Sequence, residues 1–293
     1  MISVIIPVAN ERATVAPLCQ ALEKALPPPY EILFVDDGST DGTWEELVKL
    51  HQADRVRVLR FRRNFGKTAA LEAGFAAARG DVIFTMDGDL QDDPQEIPRF
   101  LEMLEQGYDL VSGWKRYRQD PFHKVLASRI FNFVAGRATG VRLHDMNCGF
   151  KAYRGEVARA LPLQGEWHRF TPALAQAMGY RVGELVVTHH PRRHGRSHYG
   201  FARLFKGFLD LITILLVTRY AERPSHGFGV ASLLALVLGA VLLFLPWWPY
   251  LLLGTGLLVC AVVLLAAGLV AEILVHRTSP GRAPAYRTQE RLD

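Results

Sequence analysis

The chain has 293 residues, about half of them hydrophobic, and a net charge of +5. That length allows one large domain or two smaller ones. Cys19, Cys148 and Cys260 are scattered and form no CxxC pair, which argues against a disulfide framework or a cysteine zinc site and favours a reducing cytosol.

The first element is a short apolar run, Ser3–Pro7, which reads as a buried strand rather than a signal peptide because no basic segment precedes it. Apolar residues at helical spacing then predict a helix from Asn10 to about Ala25, ended by Pro27-Pro28-Pro29. Glu31–Val35 is a second strand, followed by Asp36-Asp37-Gly38-Ser39 and a helix over Thr40–Leu50. Val56–Phe61 is a third strand, Thr68–Ala78 a helix, Val82–Met86 a fourth strand, Pro94–Gln106 a helix, and Asp109–Ser112 begins a fifth strand. Strands and helices alternating at this spacing predict an α/β fold with a mostly parallel sheet, whose ligands lie beyond the carboxyl ends of the strands.

The last third is different. Gly227–Ala271 carries no charged side chain. Two runs within it, 227–245 and 250–271, are each long enough to cross bilayer hydrocarbon, at roughly 28 Å or more as helices. Pro246-Trp247-Trp248-Pro249 separates them as a turn at the interface. Phe201–Tyr220 is apolar but carries Arg203, Lys206 and Asp210, which suits either helices lying on a membrane surface or a final packed helix. Arg219 and Arg223 precede the hairpin and His276, Arg277 and Arg282 follow it, so both flanks are expected on the cytoplasmic side. The expected divisions are a catalytic domain over 1–200, interface helices over 201–226, a transmembrane hairpin over 227–272 and a basic tail over 273–293.

The acidic clusters fall where chemistry is expected. Asp87 and Asp89, in a turn after a buried strand, can grip one divalent cation, and hard oxygen ligands suit Mg²⁺ or Mn²⁺. Gln91 and Asp92 are placed to add or orient a ligand. Asp36 and Asp37 end the second strand, where a carboxylate can accept hydrogen bonds from a ribose or a base, and Asn10 and Glu11 line the same crevice. Lys67, after the third strand, is placed to meet a phosphate. No GxxxxGK[ST] or GxGxxG is present, so the ATPase and dinucleotide readings lack their residues.

Taken together, Ser3-Val-Ile-Ile-Pro7, Asn10-Glu11, Val35-Asp-Asp-Gly-Ser-Thr-Asp-Gly42, Asn64-Phe-Gly-Lys67 and Asp87-Gly-Asp-Leu-Gln91 resemble the family-2 glycosyltransferases. Asp145-Met-Asn-Cys-Gly-Phe-Lys151, Glu166-Trp-His-Arg169 and Arg193-His-Gly-Arg-Ser-His-Tyr-Gly200 extend the likeness to polyprenyl-phosphate enzymes of the dolichyl-phosphate mannose synthase type. The resemblance implies a GT-A (Rossmann-like) domain followed by a membrane hairpin. It implies inverting transfer of a sugar from a UDP- or GDP-sugar to a polyprenyl phosphate, undecaprenyl or dolichyl. On that reading Pro7, Asn10, Glu11, Asp36, Asp37, Lys67, Asp87, Gly88 and Asp89 hold the nucleotide and its diphosphate, and Asp87, Asp89 and Gln91 hold the metal. Lys115, Arg116 and Arg129 hold the lipid phosphate, while Arg196 and Ser197 belong to a loop closing over the diphosphate or acceptor.

A lipid phosphate is already largely ionised near neutral pH and hardly needs a general base; if one acts, Asp145 is the candidate, and a structural role for Asp145, such as holding an arginine or a loop backbone, is the alternative. The expected partners are a nucleotide sugar, a polyprenyl phosphate and the bilayer of the inner (plasma) membrane, with no nucleic acid; a homo-oligomer stays open. Two other readings compete: a processive polysaccharide synthase, for which no Gln-x-x-Arg-Trp is found, and a non-catalytic membrane scaffold, which has no need of Asp87 and Asp89.

Overall fold

The computed structural model describes residues 1–51, 55–116, 122–191, 201–220 and 223–278. The chain divides into two compact units, 1–211 and 212–293.

The first unit is built on a seven-stranded sheet. Its strands are β1 (Ile2–Val8), β2 (Tyr30–Asp36), β3 (Val56–Arg60), β4 (Val82–Thr85), β5 (Leu110–Trp114), β6 (Lys151–Arg154) and β7 (Val182–Val186), in the order β3-β2-β1-β4-β6-β5-β7. The helices between them are α1 (Val15–Ala25), α2 (Thr43–Leu50), α3 (Lys67–Ala77), α4 (Ile97–Glu105), α5 (Phe122–Thr139), α6 (Gly155–Ala160) and α7 (Thr171–Ala177). β1 to β4 run parallel, and β5 and β7 share their direction. Only β6 is reversed, pairing antiparallel with both β4 and β5. The chain therefore starts at the centre, winds outward to β3, and returns to the other side of β1 at β4. That reversal opens a crevice beyond the carboxyl ends of β1 and β4.

The five strands read from the sequence are all present, each shifted by no more than two residues at either end. β6, β7 and the helices α5 to α7 were not among the expected elements. β6 has only four residues and begins and ends on a cation, Lys-Ala-Tyr-Arg, so neither alternation nor an apolar run marks it. β7 contains Gly183, held small by Tyr108, whose ring a Cβ would approach to 2.8 Å. Phe84, Phe100 and Phe150 meet at the middle of the sheet, with Phe100 and Phe150 ring centroids 4.6 Å apart and all three side chains fully buried.

At the opposite rim from the crevice, Glu31 is a buried polar staple. It accepts hydrogen bonds from Ser3 Oγ (2.6 Å), Arg79 N (2.7 Å) and Arg57 Nη1 (2.8 Å). Burial opposes its charge, yet these donors hold its carboxyl below the ordinary value.

The helix over Phe201–Arg219, α8, runs from the first unit into the second. The second unit's main elements are two helices, α9 (Pro224–Leu243) and α10 (Trp248–Thr278), both long and apolar enough to cross a membrane. They form an antiparallel hairpin. Near its turn a Cβ on Gly239 would lie 2.9 Å from Gly254 O, and one on Gly254 would lie 2.8 Å from Gly239 O, so the two backbones touch where both side chains are missing. Midway, Ser232 Oγ donates to Ala261 O at 2.7 Å. At the open end the backbone N–H of Ser225 donates to Glu272 Oε2 at 3.1 Å, placing a carboxylate at the N-terminus of α9. Most of the remaining leucines and valines of both helices are exposed.

Phe100→Ala should remove one of the three rings and cost about 3–5 kcal/mol. The measurement is the melting temperature of the detergent-solubilised chain, expected to fall by on the order of 10 °C; a fall of a degree or two would mean that the ring cluster does not stabilise the sheet.

Candidate active site

The exits of β1 to β5 and the start of β6 border the crevice. β1 leads into Asn10, which adopts a left-handed φ of 60°. There its N–H donates to Ser39 Oγ (2.9 Å) and its Oδ1 accepts from Thr40 N (2.8 Å), tying the exit of β1 to the loop after β2. Glu11 N donates to Thr43 Oγ1 at 2.9 Å, and its side chain accepts from Thr14 Oγ1 at 3.2 Å. Asp36 is fully buried, accepts from Ser39 N at 2.9 Å and faces Arg60 Nε at 3.6 Å. Asp37 engages both oxygens, accepting from Phe65 N (2.7 Å) and Gly66 N (2.9 Å). It thus fixes the loop after β3, directly before Lys67. Gly38 needs its glycine: its φ is +71°, and a Cβ would sit 2.5 Å from the Arg63 carbonyl carbon. Beside it Gly38, Ser39, Thr40, Arg60, Phe61 and Arg62 line an open cleft of about 440 Å³.

The turn after β4 carries Asp87, Gly88 and Asp89. Asp87 Oδ1 forms an ion pair with Lys67 Nζ, at the first residue of α3. Although burial opposes ionisation, Lys67 and then Lys115 hold the Asp87 carboxyl well below the usual range. The carboxylate lies against Gly149, where a Cβ would come within 2.5 Å of Oδ2 and 2.7 Å of Oδ1. Gly88 packs on β1: a Cβ there would meet Val8 Cγ1 at 2.9 Å and approach the Pro7 carbonyl at 3.6 Å. Alanine at this position therefore needs Val8 to yield. Asp89 is buried, with its Oδ1 accepting from Gln91 N at 3.2 Å, and Leu90 between them has φ 62°.

The Gln91 side chain bonds to the segment after β7. Its Nε2 reaches His190 O (3.1 Å) and His189 Nε2 (3.3 Å), while His190 N donates to Gln91 O (2.8 Å). Gln91 thus fastens the acidic turn to the segment after β7. Lys115 is placed differently from the sequence expectation. Its side chain is 9% exposed, and its Nζ lies 2.7 Å from Asp92 Oδ1. Burial disfavours that charge, but Asp92 first, with Cys148 and Asp87 adding, raises the ammonium above its ordinary value. Lys115 is a buried brace between the exits of β5 and β4, not a ligand for an outside phosphate.

Arg116 is exposed, with its guanidinium 5.4 Å from the centre of the Trp114 ring. That ring also stacks on His144 at 3.9 Å, and His144 Nδ1 lies 2.8 Å from Glu184 Oε2. Arg129 belongs to α5, but its side chain lies outside the described residues, as do Arg196 and Ser197 altogether. Asp145 is buried beneath the rim, and its N–H donates to Glu184 Oε1 at 2.9 Å. Of its two expected roles this burial favours the structural one.

The sequence reading passed over a second layer. Thr85 Oγ1 donates to Gly149 O (2.8 Å) and the buried Lys151 ammonium donates to Cys148 O, so the peptide pressed against Asp87 is held from both sides. Burial pushes Lys151 down to about 8 and the Cys148 thiol up to about 12. His168 Nδ1 sits 2.7 Å from Thr68 Oγ1; burial, then Lys67 and Arg169, push it down to about 2, so it is neutral. The run Cys148-Gly149-Phe150-Lys151 was the available signal, but its purpose emerges only when β6 is seen to run against its neighbours and to begin at the crevice.

The glycosyl transferase family 2 model matches residues 3–161. The chain belongs to that family. It is 39% identical to the dodecaprenyl-phosphate galacturonate synthase of Rhizobium johnstonii, over 94% of this chain and 88% of that one. It is 36% identical to the undecaprenyl-phosphate 4-deoxy-4-formamido-L-arabinose transferase of Pseudomonas aeruginosa, over 97% of this chain and 87% of that one. Among solved structures it resembles Mycobacterium tuberculosis glucosyl-3-phosphoglycerate synthase in complex with Mn²⁺, UDP-glucose and phosphoglyceric acid, with a TM-score of 0.56 and 21% identity, covering 74% of this chain and 79% of that one. This likeness establishes the GT-A fold. The chain is a glycosyltransferase, and the acidic turn after β4 is its candidate active site.

The donor set fits a divalent cation. Among the described residues no three His, Cys, Asp or Glu side chains gather into a metal cage. One or two carboxylates completed by substrate phosphates and water is the usual arrangement for Mg²⁺, and Asp87 and Asp89 offer that many.

Gly149→Ala should displace the Asp87 carboxylate and lower turnover by about 100-fold, since small misplacements at a reacting centre are costly. Steady-state kinetics beside a melting curve would check this. Unchanged turnover would mean that the close approach of Gly149 does not set the position of Asp87.

Proposed function

We propose that this enzyme transfers a sugar, with inversion, from a nucleotide sugar to a polyprenyl phosphate, producing a lipid-phosphate-linked monosaccharide. The carrying observation is the Asp87–Lys67 pair at the switch point of the sheet, a carboxylate and an ammonium both partly open to solvent where a diphosphate would lie. The substrates named for the two relatives, dodecaprenyl and undecaprenyl phosphate, support the acceptor class.

The residues divide the task. The nucleoside lies over the exits of β1 to β3, along Pro7, Asn10, Glu11, Asp36 and the cleft beside Gly38, with Asp37 holding the loop that carries Lys67. Asp87 and Asp89 would hold Mg²⁺ or Mn²⁺, which would supply positive charge to the departing nucleoside diphosphate. Lys67 adds a cation on the nucleotide side. Arg116 orients the acceptor phosphate, joined by Arg129, Arg196 and Ser197 from outside the described side chains. A phosphate with a second pKa of about 6 is already an anion near neutral pH, so no residue need remove a proton. What the site must overcome is repulsion between two phosphate-bearing reactants, and preorganised cations do this.

The two apolar helices anchor the enzyme in the inner membrane as a hairpin, with the catalytic unit on the cytoplasmic side where the Arg219 and Arg223 flank lies. The acceptor's isoprenoid tail then stays in lipid while its phosphate reaches the crevice.

Incubating membranes with radiolabelled UDP- and GDP-sugars tests this reading. Label should enter an organic-extractable, mild-acid-labile lipid carrying one sugar, and EDTA should stop it. Asp89→Ala should lower transfer at least 1,000-fold while leaving the protein folded and membrane-bound. A polymeric product would point to a processive synthase, no transfer from any donor to a scaffold, and an active metal-independent Asp89→Ala enzyme would remove the carboxylate from its role.

A further inference from the structure

The crevice contains several acidic groups with close partners, and burial sorts them. Asp36 is fully buried, with the Ser39 N–H and Arg60 against it. Asp37 is buried and accepts from two backbone N–H groups, one on each oxygen. Asp92 is fully buried against Lys115. In each of the three the carboxylate itself is shut off from solvent. The pair between Asp87 and Lys67 is different, with side chains 31% and 33% exposed. It also joins two groups assigned to different halves of the site, one to the cation and one to the donor's phosphates.

The root and the tip of Lys67 have different freedom. The two residues before it are pinned by Asp37, so the start of α3 is fixed to the nucleotide side. The preceding Gly66, at φ +94°, has nothing within 4 Å of where a Cβ would be, and the lysine stem is a flexible four-carbon chain. The ammonium can leave Asp87 without any backbone movement. It has reason to do so: an ammonium and a divalent cation cannot both sit close on one carboxylate without strong repulsion.

We infer that Lys67 is an exchangeable counter-ion, competing with the divalent cation for Asp87 and passing to the donor's diphosphate when cation and donor bind together. The inference rests on Asp87 being a cation ligand, as in the proposed function. Its consequence is a coupling. The cation alone must displace Lys67 and binds weakly. The donor offers Lys67 a new anion and so makes room for the cation, and by linkage the cation favours the donor by the same factor. Lys67 would be a positioning and coupling residue as well as a phosphate contact.

The test uses the full chain in detergent. Mn²⁺ binding is read from the electron paramagnetic resonance signal of the free ion, first without nucleotide and then with saturating UDP or GDP. A residue that only attracts phosphate leaves binding of the ion alone unchanged, and one that only supports the fold weakens it. The exchange model predicts the opposite: Lys67→Met should bind Mn²⁺ alone about tenfold tighter than the unmodified enzyme. The same variant should bind the nucleotide about tenfold more weakly at saturating Mn²⁺, typical factors for coupled sites. Lys67→Arg should restore the original order of affinities. In an Asp87→Asn background Lys67→Met should bring no tightening, because the contested carboxylate is gone.

Equal or weaker Mn²⁺ binding by Lys67→Met would overturn the exchange and leave the metal assignment standing. Tightening that persists with Asn at position 87 would overturn it too, by showing a general charge effect. If neither form binds Mn²⁺, with or without either nucleotide, the metal reading falls and the exchange with it.

Discussion

The site depends on one electrostatic arrangement: a carboxylate at the exit of β4, held between an ammonium and a glycine. Asp87 has Lys67 on one oxygen and Gly149 against the carboxylate as a whole. Each neighbour comes from a different part of the chain, α3 and the entry to β6, and each is positioned by its own support. Asp37 fixes the loop before Lys67, and Thr85 and Lys151 fix the peptide beside Gly149. The order β1-β4-β6 brings those supports together, since Thr85 pairs in register with Lys151 across β4 and β6. A sheet that was parallel throughout would turn the beginning of β6 to the far rim and take the glycine and the lysine with it.

Acids crowd this crevice without expelling one another because each has a separate means of neutralisation. Asp92 has a buried ammonium, Asp36 a guanidinium and a backbone N–H, and Asp37 two backbone N–H groups. A buried carboxylate with no such partner would be expensive. The supply of partners explains why a chain rich in lysine and arginine places several of them under an acidic turn. It also explains why Lys115, which reads from the sequence as a hand extended to a lipid phosphate, is instead folded inward.

The legible part of this protein was the part with short-range signals. The strands β1 to β5, the turns Asp36-Asp37 and Asp87-Gly-Asp89, and the apolar hairpin each announce themselves by composition within a few residues. β6 did not, because a four-residue strand with two cations acquires its identity only from the strands beside it. Gln91 and Lys115 show a second limit. Both were correctly placed near the acidic turn, yet the direction of each side chain is decided by partners nearly a hundred residues away for Gln91 (His189 and His190) and across the sheet for Lys115 (Asp92). Residue type and position identify which groups are close to the chemistry, but the competition among partners decides which of them face it.

The hairpin obeys the same logic, and on the proposed function its solvent is lipid. In lipid there is no hydrophobic gain from joining two apolar helices, so contact must come from close backbone approach and from polar groups that find each other. Gly239 against Gly254 supplies the first, and Ser232 to Ala261 and Ser225 to Glu272 supply the second. The last of these stands at the open end of the hairpin, near the sequence flanked by Arg219 and Arg223. A carboxylate capping a helix N-terminus there keeps both helix ends at one level. Hence the second unit holds its two helix ends together with a charged cap, whereas the first holds its strand ends together with buried ion pairs. In both units, side chains set by long-range pairing fix the geometry, while apolar composition fixes only where the chain folds.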